Sequence, residues 1–454
     1  MDLSRRDFSK FVAGAGAAAA LGQLARTSAI AATASSFRAM VGVFLFGGND
    51  GWNMVVPTDA RYSGYATSRG TVALKQTALT ALQGSAYALH PAMSALNAVW
   101  AEGALGLVLN AGTLYAPLDK ATYNSRADLR PVNLLSHSDE QAHWQGLRAR
   151  STNYDGFMGR IADRSSQPAT PALISLGGSN LAIIGQTASP LILPSTGTLA
   201  RTGYTAGTSA KNSAIDAFAT SAGLGTIADV TAKQISAAYT QANVANTVLT
   251  ATSSVDGYFV NPTTGAALTS DVSRQLLRVA RMIEARDSLG HDRQTFFVTQ
   301  GGFDNHSAQV NTDTATGTHA TLLGDLALAL SAFYRALKAI GMSENVTTFT
   351  MSDFGRTFRG NAQNGTDHAW GSNHLVMGAA LNPQVTYGLY PSTTLGGADD
   401  VSSEGRFLPT TSQEQYLGAI GQWHGVSSSD LSYVYPNWST WSTGGKAPLP
   451  LFRA

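Results

Sequence analysis

Continuous apolar runs, each ended by a short polar loop, recur along the chain and leave few folds open to it. Met40 to Phe46 is the first, broken by Gly47-Gly48-Asn49-Asp50-Gly51. Gly106 to Asn110, Ala172 to Leu176, Thr295 to Thr299, Val346 to Met351 and Leu375 to Gly378 have the same character. A run that does not alternate with polar residues is the mark of a strand buried on both faces. Between several of them lie helical patterns. Ser270 to Arg286 sets Val272, Leu276, Val279, Ala280 and Ile283 on one face with arginines opposite, and His319 to Ile340 repeats the scheme with Leu322, Leu326, Leu330, Phe333 and Leu337. Strands alternating with such helices predict an α/β fold, a doubly wound and mostly parallel central sheet with helices on both faces. The expected mature unit is a single domain over 35–454. Within it, the Ala/Thr/Ser-rich stretch at about 189–263 reads as an insertion or cap of short helices and loops.

The charge balance narrows the partners. Lys+Arg 30 against Asp+Glu 29 gives a net charge of +1 in 454 residues, so no broad field favours nucleic acid. With Cys 0, disulfides and thiolate metal sites are excluded, which leaves imidazole and carboxylate as the metal ligands. At the N-terminus Ser4-Arg5-Arg6-Asp7-Phe8 precedes a small-residue apolar run to Leu24, and Ala32-Thr33-Ala34 offers a cleavage site. Residues 1–34 therefore read as a twin-arginine signal peptide. The run is too short and too polar for stable membrane insertion. The translocase of that pathway is the expected partner during export, and a periplasmic or extracellular location follows.

In an open α/β sheet, ligands bind beyond the carboxyl ends of the strands, so acids and imidazoles just after the apolar runs matter most. Asp50 follows the first run, Asp304 and His306 follow the one ending at Thr299, and Asp353 follows Met351. Asp367, His368 and His374 precede Leu375 to Gly378. Any one of these is also explained as a turn residue bonded to its own backbone. The whole set predicts a polar site holding one or two divalent ions, zinc, manganese or calcium. His291, His319 and His424 read as surface or packing residues. Ser136-His137-Ser138-Asp139-Glu140 looks like a capped helix start, where unpaired N–H groups could hold an anion beneath a serine hydroxyl. Arg356 could clamp an oxyanion or serve only as an ion-pair partner.

These residues also carry a family resemblance. Leu45 to Gly51, Leu89-His90-Pro91, Ser136-His137 with Gln141 and Trp144, Gly301 to His306, Ser352 to Thr357 and Thr366-Asp367-His368 resemble the bacterial secreted family known as domain of unknown function 1501. Leu408-Pro409-Thr410, Trp423 to Val426 and Tyr435-Pro436-Asn437 fit it as well. That family is described as sulfatase-like and is similar in turn to the alkaline phosphatase and sulfatase superfamily. The resemblance implies an alkaline phosphatase-like sheet, with metal bound by Asp50, Asp304, His306, Asp353 and His374. Two departures stand out. Asp353 is followed by Phe354 where many superfamily phosphatases have histidine, so either Asp367-His368 could substitute or one metal could be lost, and the usual sulfatase signature is absent.

Together these readings predict an exported metal-dependent hydrolase of phosphate, phosphonate or sulfate esters. Ser136 is the expected nucleophile, His137 an acid for the leaving group and Arg356 an oxyanion clamp. Asp50, Asp304, His306, Asp353, Asp367, His368 and His374 are the candidate ligands, and the substrate is a small anionic ester or a glycan. The alternative is a non-catalytic secreted protein on the same scaffold, acting in surface assembly or polysaccharide binding, with Trp370, Trp423, Trp438 and Trp441 as a stacking face.

Overall fold

A computed structural model describes residues 37–165, 168–200, 210–223, 225–442 and 447–453. The expected signal peptide, 1–34, lies outside the described residues. Every apolar run singled out above becomes a strand. The main sheet contains β1 (Arg38–Leu45), β5 (Leu105–Gly112), β6 (Leu173–Ser175), β7 (Leu191–Ile192), β8 (Arg293–Gln300), β9 (Val346–Ser352), β10 (Ser372–Met377), β11 (Thr386–Tyr387) and β12 (Thr411–Ser412). A separate small sheet joins β2 (Val55–Pro57), β3 (Thr80–Ala81) and β4 (Tyr87–Leu89).

In the main sheet the order is β11-β5-β10-β9-β1-β8-β6-β7, with β12 also on β5. β1 sits at the centre, parallel to both β8 and β9. β10 runs antiparallel to β5 and β9, against the direction of the rest. That reversal matters for the site: residues entering β10 lie at the same edge as residues leaving β1, β8 and β9. Loops far apart in sequence are thereby delivered to one rim.

The two faces of β1 feed two cores. Val41, Val43 and Leu45 join a cluster with Leu276, Val279 and Ile283 of the helix Asp271–Glu284 and Leu323, Leu326 and Leu330 of the helix Thr318–Ala339. Met40 and Phe44 join the other, with Trp144, Phe157 and Ile161, and with Tyr416, Leu417 and Ile420 of the helix Gln413–His424. Alternation of side chains across a strand is what splits one apolar run between two helix layers. Each fully buried side chain of this size stabilises the fold by about 1.5–3 kcal/mol. Thr318–Ala339 is long and apolar enough to cross a membrane by length and composition, but 61% of its most apolar window is buried inside the protein.

The stretch at 189–263 departs from the expected short helices. It holds β7, the helix Ala210–Ala219 and a helix of 25 residues, Thr226–Thr250. Only Ala232, Ala245 and Leu249 of that long helix are buried. Alanine favours the helix while the apolar stripe stays thin, so periodicity understated its length. Its C-terminal end rests on the core beside Asp271–Glu284.

Candidate functional site

Four of the polar residues meet where β8, β9 and the entry to β10 converge with the start of the helix His137–Gly146. Ligand atoms of His137, Asp304 and His368 all lie within 4.8 Å of one another. His306 joins through Nε2, which is 3.0 Å from His368 Nε2 and 3.1 Å from Asp304 Oδ1. The site is open at its rim, with the Asp304, His306 and Asp367 side chains 47%, 45% and 48% exposed.

The backbone makes this convergence possible at Gly47. Its φ is 111°, and a Cβ there would stand 2.5 Å from the Asp304 backbone nitrogen, so only glycine lets the loop after β1 approach the loop after β8. The helix bearing His137 begins just after two left-handed residues, Asn133 at φ 51° and Leu135 at φ 71°. A leucine in that region is strained. Its carbonyl accepts a hydrogen bond from His368 Nδ1 at 2.9 Å, which ties the unusual conformation to the site.

The outer partners fix the tautomers. His137 Nδ1 is 2.7 Å from Asp353 Oδ2, and His306 Nδ1 is 2.7 Å from Asp367 Oδ1. A carboxylate and a backbone carbonyl accept, so each Nδ1 is the donor, and in the neutral ring each Nε2 is left to present a lone pair. His137 Nε2 is 3.4 Å from Asp304 Oδ2, near enough for attraction when charged but without hydrogen-bond alignment, and it is a buried nitrogen with no hydrogen-bond partner. Three imidazole lone pairs and one carboxylate are a recognised donor set for a divalent ion. Separations of 3.0–3.4 Å, from His306 to His368 and from the Asp304 oxygens to the three rings, are short enough for bonds of about 2.0–2.2 Å to a shared ion, and the His137, Asp304 and His368 atoms all lie within 4.8 Å of one another. The residues present therefore fit a metal of the kind expected from sequence.

The remaining candidates fall elsewhere. Asp353 is buried: Oδ1 accepts from Gly47 N at 3.1 Å, while Oδ2 accepts from His137 and from Gln141 Nε2 at 2.8 Å. It orients His137 from behind. Asp367 does the same for His306 and is braced by Asn361 Nδ2 at 3.3 Å. Asp50 is fully buried, pairs with Arg69, accepts from Gln309 Nε2 at 2.6 Å and caps the helix Gly51–Met54 through Trp52 and Asn53. Burial pushes its carboxyl up, but the Arg69 and His319 charges with the bonds from Arg69 and Gln309 outweigh it, and the pKa is lowered.

His374 lies within β10, beside Trp144 at 4.9 Å and Tyr416 at 6.0 Å, and burial depresses its pKa to about 3. It stands in the core because it is inside the strand rather than before it. Arg356 is equally committed. It donates to the carbonyls of Gly48 at 2.8 Å, Thr366 at 3.1 Å and Phe303 at 3.2 Å, and bonds Gly47 and Asp304 as well. It ties three loops together, and no N–H fork is left over for an oxyanion. His291, His319 and His424 are all buried, as packing residues would be.

Ser136 is the residue before the helix, but its hydroxyl does not cap it. Oγ instead donates to Asp139 Oδ2 at 2.7 Å. Hydrogen bonds from Asn133 and Ser136 hold the Asp139 carboxyl below its ordinary value. Of the tryptophans expected to form a stacking face, Trp370 and Trp441 are buried with Leu114 and Leu408, and Trp423 is stacked on Phe452 at 5.0 Å. Sequence reasoning missed Asn361 and the Leu135 carbonyl, since neither a lone asparagine nor a backbone group leaves a compositional trace.

With this geometry in hand, the comparisons decide the family. Residues 38–413 match the family described as a protein of unknown function, DUF1501. The chain belongs to that family. No curated protein matches it. Among solved structures, the chain is similar to the C-terminal periplasmic domain of EcEptC from Escherichia coli, at 11% identity over 88% of this chain and 87% of that one. The TM-score is 0.34, too loose a superposition to bear on function.

Proposed function

We propose that this DUF1501 protein is an exported, metal-dependent hydrolase of phosphate, phosphonate or sulfate esters. The observation that carries the reading is the facing pair His306 Nε2 and His368 Nε2, 3.0 Å apart beside Asp304. Two imidazole lone pairs at that separation repel each other unless a cation or a proton lies between them. His137, Asp304, His306 and His368 would hold one or two divalent ions. A nitrogen-rich set of this kind suits zinc, whereas manganese and calcium prefer oxygen ligands. A divalent ion bound there supplies Lewis-acid polarisation of an ester oxygen.

The chain's own residues supply the rest. Asp353, Asp367 and the Leu135 carbonyl hold the three rings in their tautomers and raise their basicity. Ser136 is the proposed nucleophile. Asp139, being a weak base, orients the Ser136 hydroxyl rather than deprotonating it. Attack by Oγ forms the bond from serine oxygen to phosphorus or sulfur as the alcohol leaves. The serine proton passes through solvent to the departing alkoxide, and water later releases the acid and restores serine. His137 fits this scheme as a ligand rather than as a proton donor, because its Nδ1 proton is held by Asp353. Export rests on the Ser4-Arg5-Arg6 segment and the Ala32-Thr33-Ala34 site.

The test is direct. Purified mature protein should contain bound divalent metal and hydrolyse nitrophenyl phosphate or nitrophenyl sulfate, and Asp304→Asn should lose both properties. A folded wild type that takes up no metal and cleaves neither ester ends this reading.

A further inference from the structure

An ester anion is held more tightly where a positive group stands beside the ligand cluster, and the arginine expected to provide it is consumed by the scaffold. Other cations on nearby loops are also committed. Arg130 donates to the Tyr123 and Asn124 carbonyls at 2.5 and 3.0 Å, and Arg359 pairs with Glu404 at 3.1 Å. Arg406 differs. Its Nε donates to the carbonyl of His368 at 3.0 Å, so the guanidinium is anchored directly on a residue of the cluster. Among the described residues, no hydrogen bond or ion pair engages its two terminal nitrogens.

The loop that presents Arg406 is rigid in a specific way. Asp400 is buried, and its Oδ1 accepts from Ser402 N, Ser402 Oγ and Arg406 N, each at 2.9 Å. Its Oδ2 accepts from Gly396 N at 2.8 Å and Gly405 N at 2.9 Å. Phe407 next to it is buried against Trp52, with ring centroids 5.3 Å apart. The backbone on both sides of Arg406 is thus fixed, its Nε is fixed, and its two terminal nitrogens remain unengaged among the described residues. A half-buried arginine held this way has lost most of its rotamer freedom before any ligand arrives, so little ordering cost remains when it binds one.

We propose that Arg406 binds the anionic group of the substrate. The inference rests on the ester-hydrolase reading of the same site and deepens it, assigning recognition of a phosphate, phosphonate or sulfate oxygen pair to this residue. A planar guanidinium fork matches two such oxygens at once, which an ammonium cannot reproduce.

Calorimetry of the metal-loaded protein with inorganic phosphate tests it, using the wild type, Arg406→Gln, Arg406→Lys and, as a control for diffuse charge, Arg359→Gln. The expected result is that Arg406→Gln weakens phosphate binding by about tenfold or more. Arg406→Lys should recover part of that loss, and Arg359→Gln should bind as the wild type does. Metal content and melting temperature should stay unchanged in all four. KM for nitrophenyl phosphate should rise by a similar factor in Arg406→Gln. Equal phosphate affinity in wild type and Arg406→Gln overturns the proposal, as does an equal loss in Arg359→Gln. Because phosphate binding is read without turnover, failure of the hydrolase reading would show separately, as a wild type that binds no metal or cleaves no ester.

Discussion

Two aspartate loops leave neighbouring strands of this sheet, and they have opposite fates. Asp50 follows Gly47-Gly48-Asn49 after β1; Asp304 follows Gly301-Gly302-Phe303 after β8. Asp50 is 1% exposed and spends its oxygens on Arg69, Gln309 and two backbone N–H groups. The Asp304 side chain is 47% exposed and shares its oxygens among Arg356 and three imidazoles. Similar glycine-flanked sequences thus give one buried structural carboxylate and one at an open polar rim. What separates them is the set of neighbours, since a carboxylate whose lone pairs are all taken by fixed donors has none left for a cation.

That contrast can be broken or sharpened by mutation. The largest effect expected is from Asp50→Ala, which strands a buried Arg69 and uncaps a helix. It should cost about 3–5 kcal/mol in urea unfolding, whereas metal-free Asp304→Ala should cost only about 1 kcal/mol because Arg356 keeps its carbonyl acceptors. Equal losses would erase the distinction. Next, Asp353→Asn should lower metal affinity by about 10–100-fold in competition with a chelator, with the fold intact, as expected of a group that orients a ligand from behind.

Acid should separate the buried histidine from the rim in a third way. His374 has a folded pKa of about 3, against an ordinary value near 6.5. Its contribution to stability is therefore complete above pH 6.5 and is lost as pH falls toward 3, because the unfolded chain takes the proton first. At pH 5 the loss amounts to roughly 2 kcal/mol. His374→Phe should flatten the unfolding free energy between pH 6.5 and 4 by about 3 kcal/mol; an unchanged slope would mean His374 does not sit neutral in the core. The smallest effect expected is from Asp367→Asn. This half-exposed carboxylate is screened by water, so metal affinity should fall only by about threefold, with His306→Ala falling much further.

Much of the fold was legible because the evidence for it is local. Continuous apolar runs at β1, β5, β8 and β9, and the stripes on Asp271–Glu284 and Thr318–Ala339, repeat at strand and helix periods that short windows reveal. The long helix Thr226–Thr250 was not legible, since few of its residues are buried and a thin stripe looks like a loop. The site was legible in part. Asp304, His306 and His368 were named from their places at strand ends, and they meet. His374 was placed before a strand when it lies inside one, a shift of a few residues at the boundary. Arg356 and Asp50 had suitable chemistry but are surrounded by donors and acceptors from distant segments. Arg406 stands two residues before Leu408-Pro409-Thr410 but carried no chemical signal of its own, and becomes visible only through its contact with His368.

The sequence by itself determined the architecture, the choice of imidazole and carboxylate over thiolate, and the handful of loops from which a site could be built. These follow from residue type and spacing, which act over a few positions. Only the tertiary structure decided which polar groups face one another and which are already satisfied, because a lone pair is claimed by whichever donor lies within about 3 Å, and here most such donors come from segments tens or hundreds of residues away.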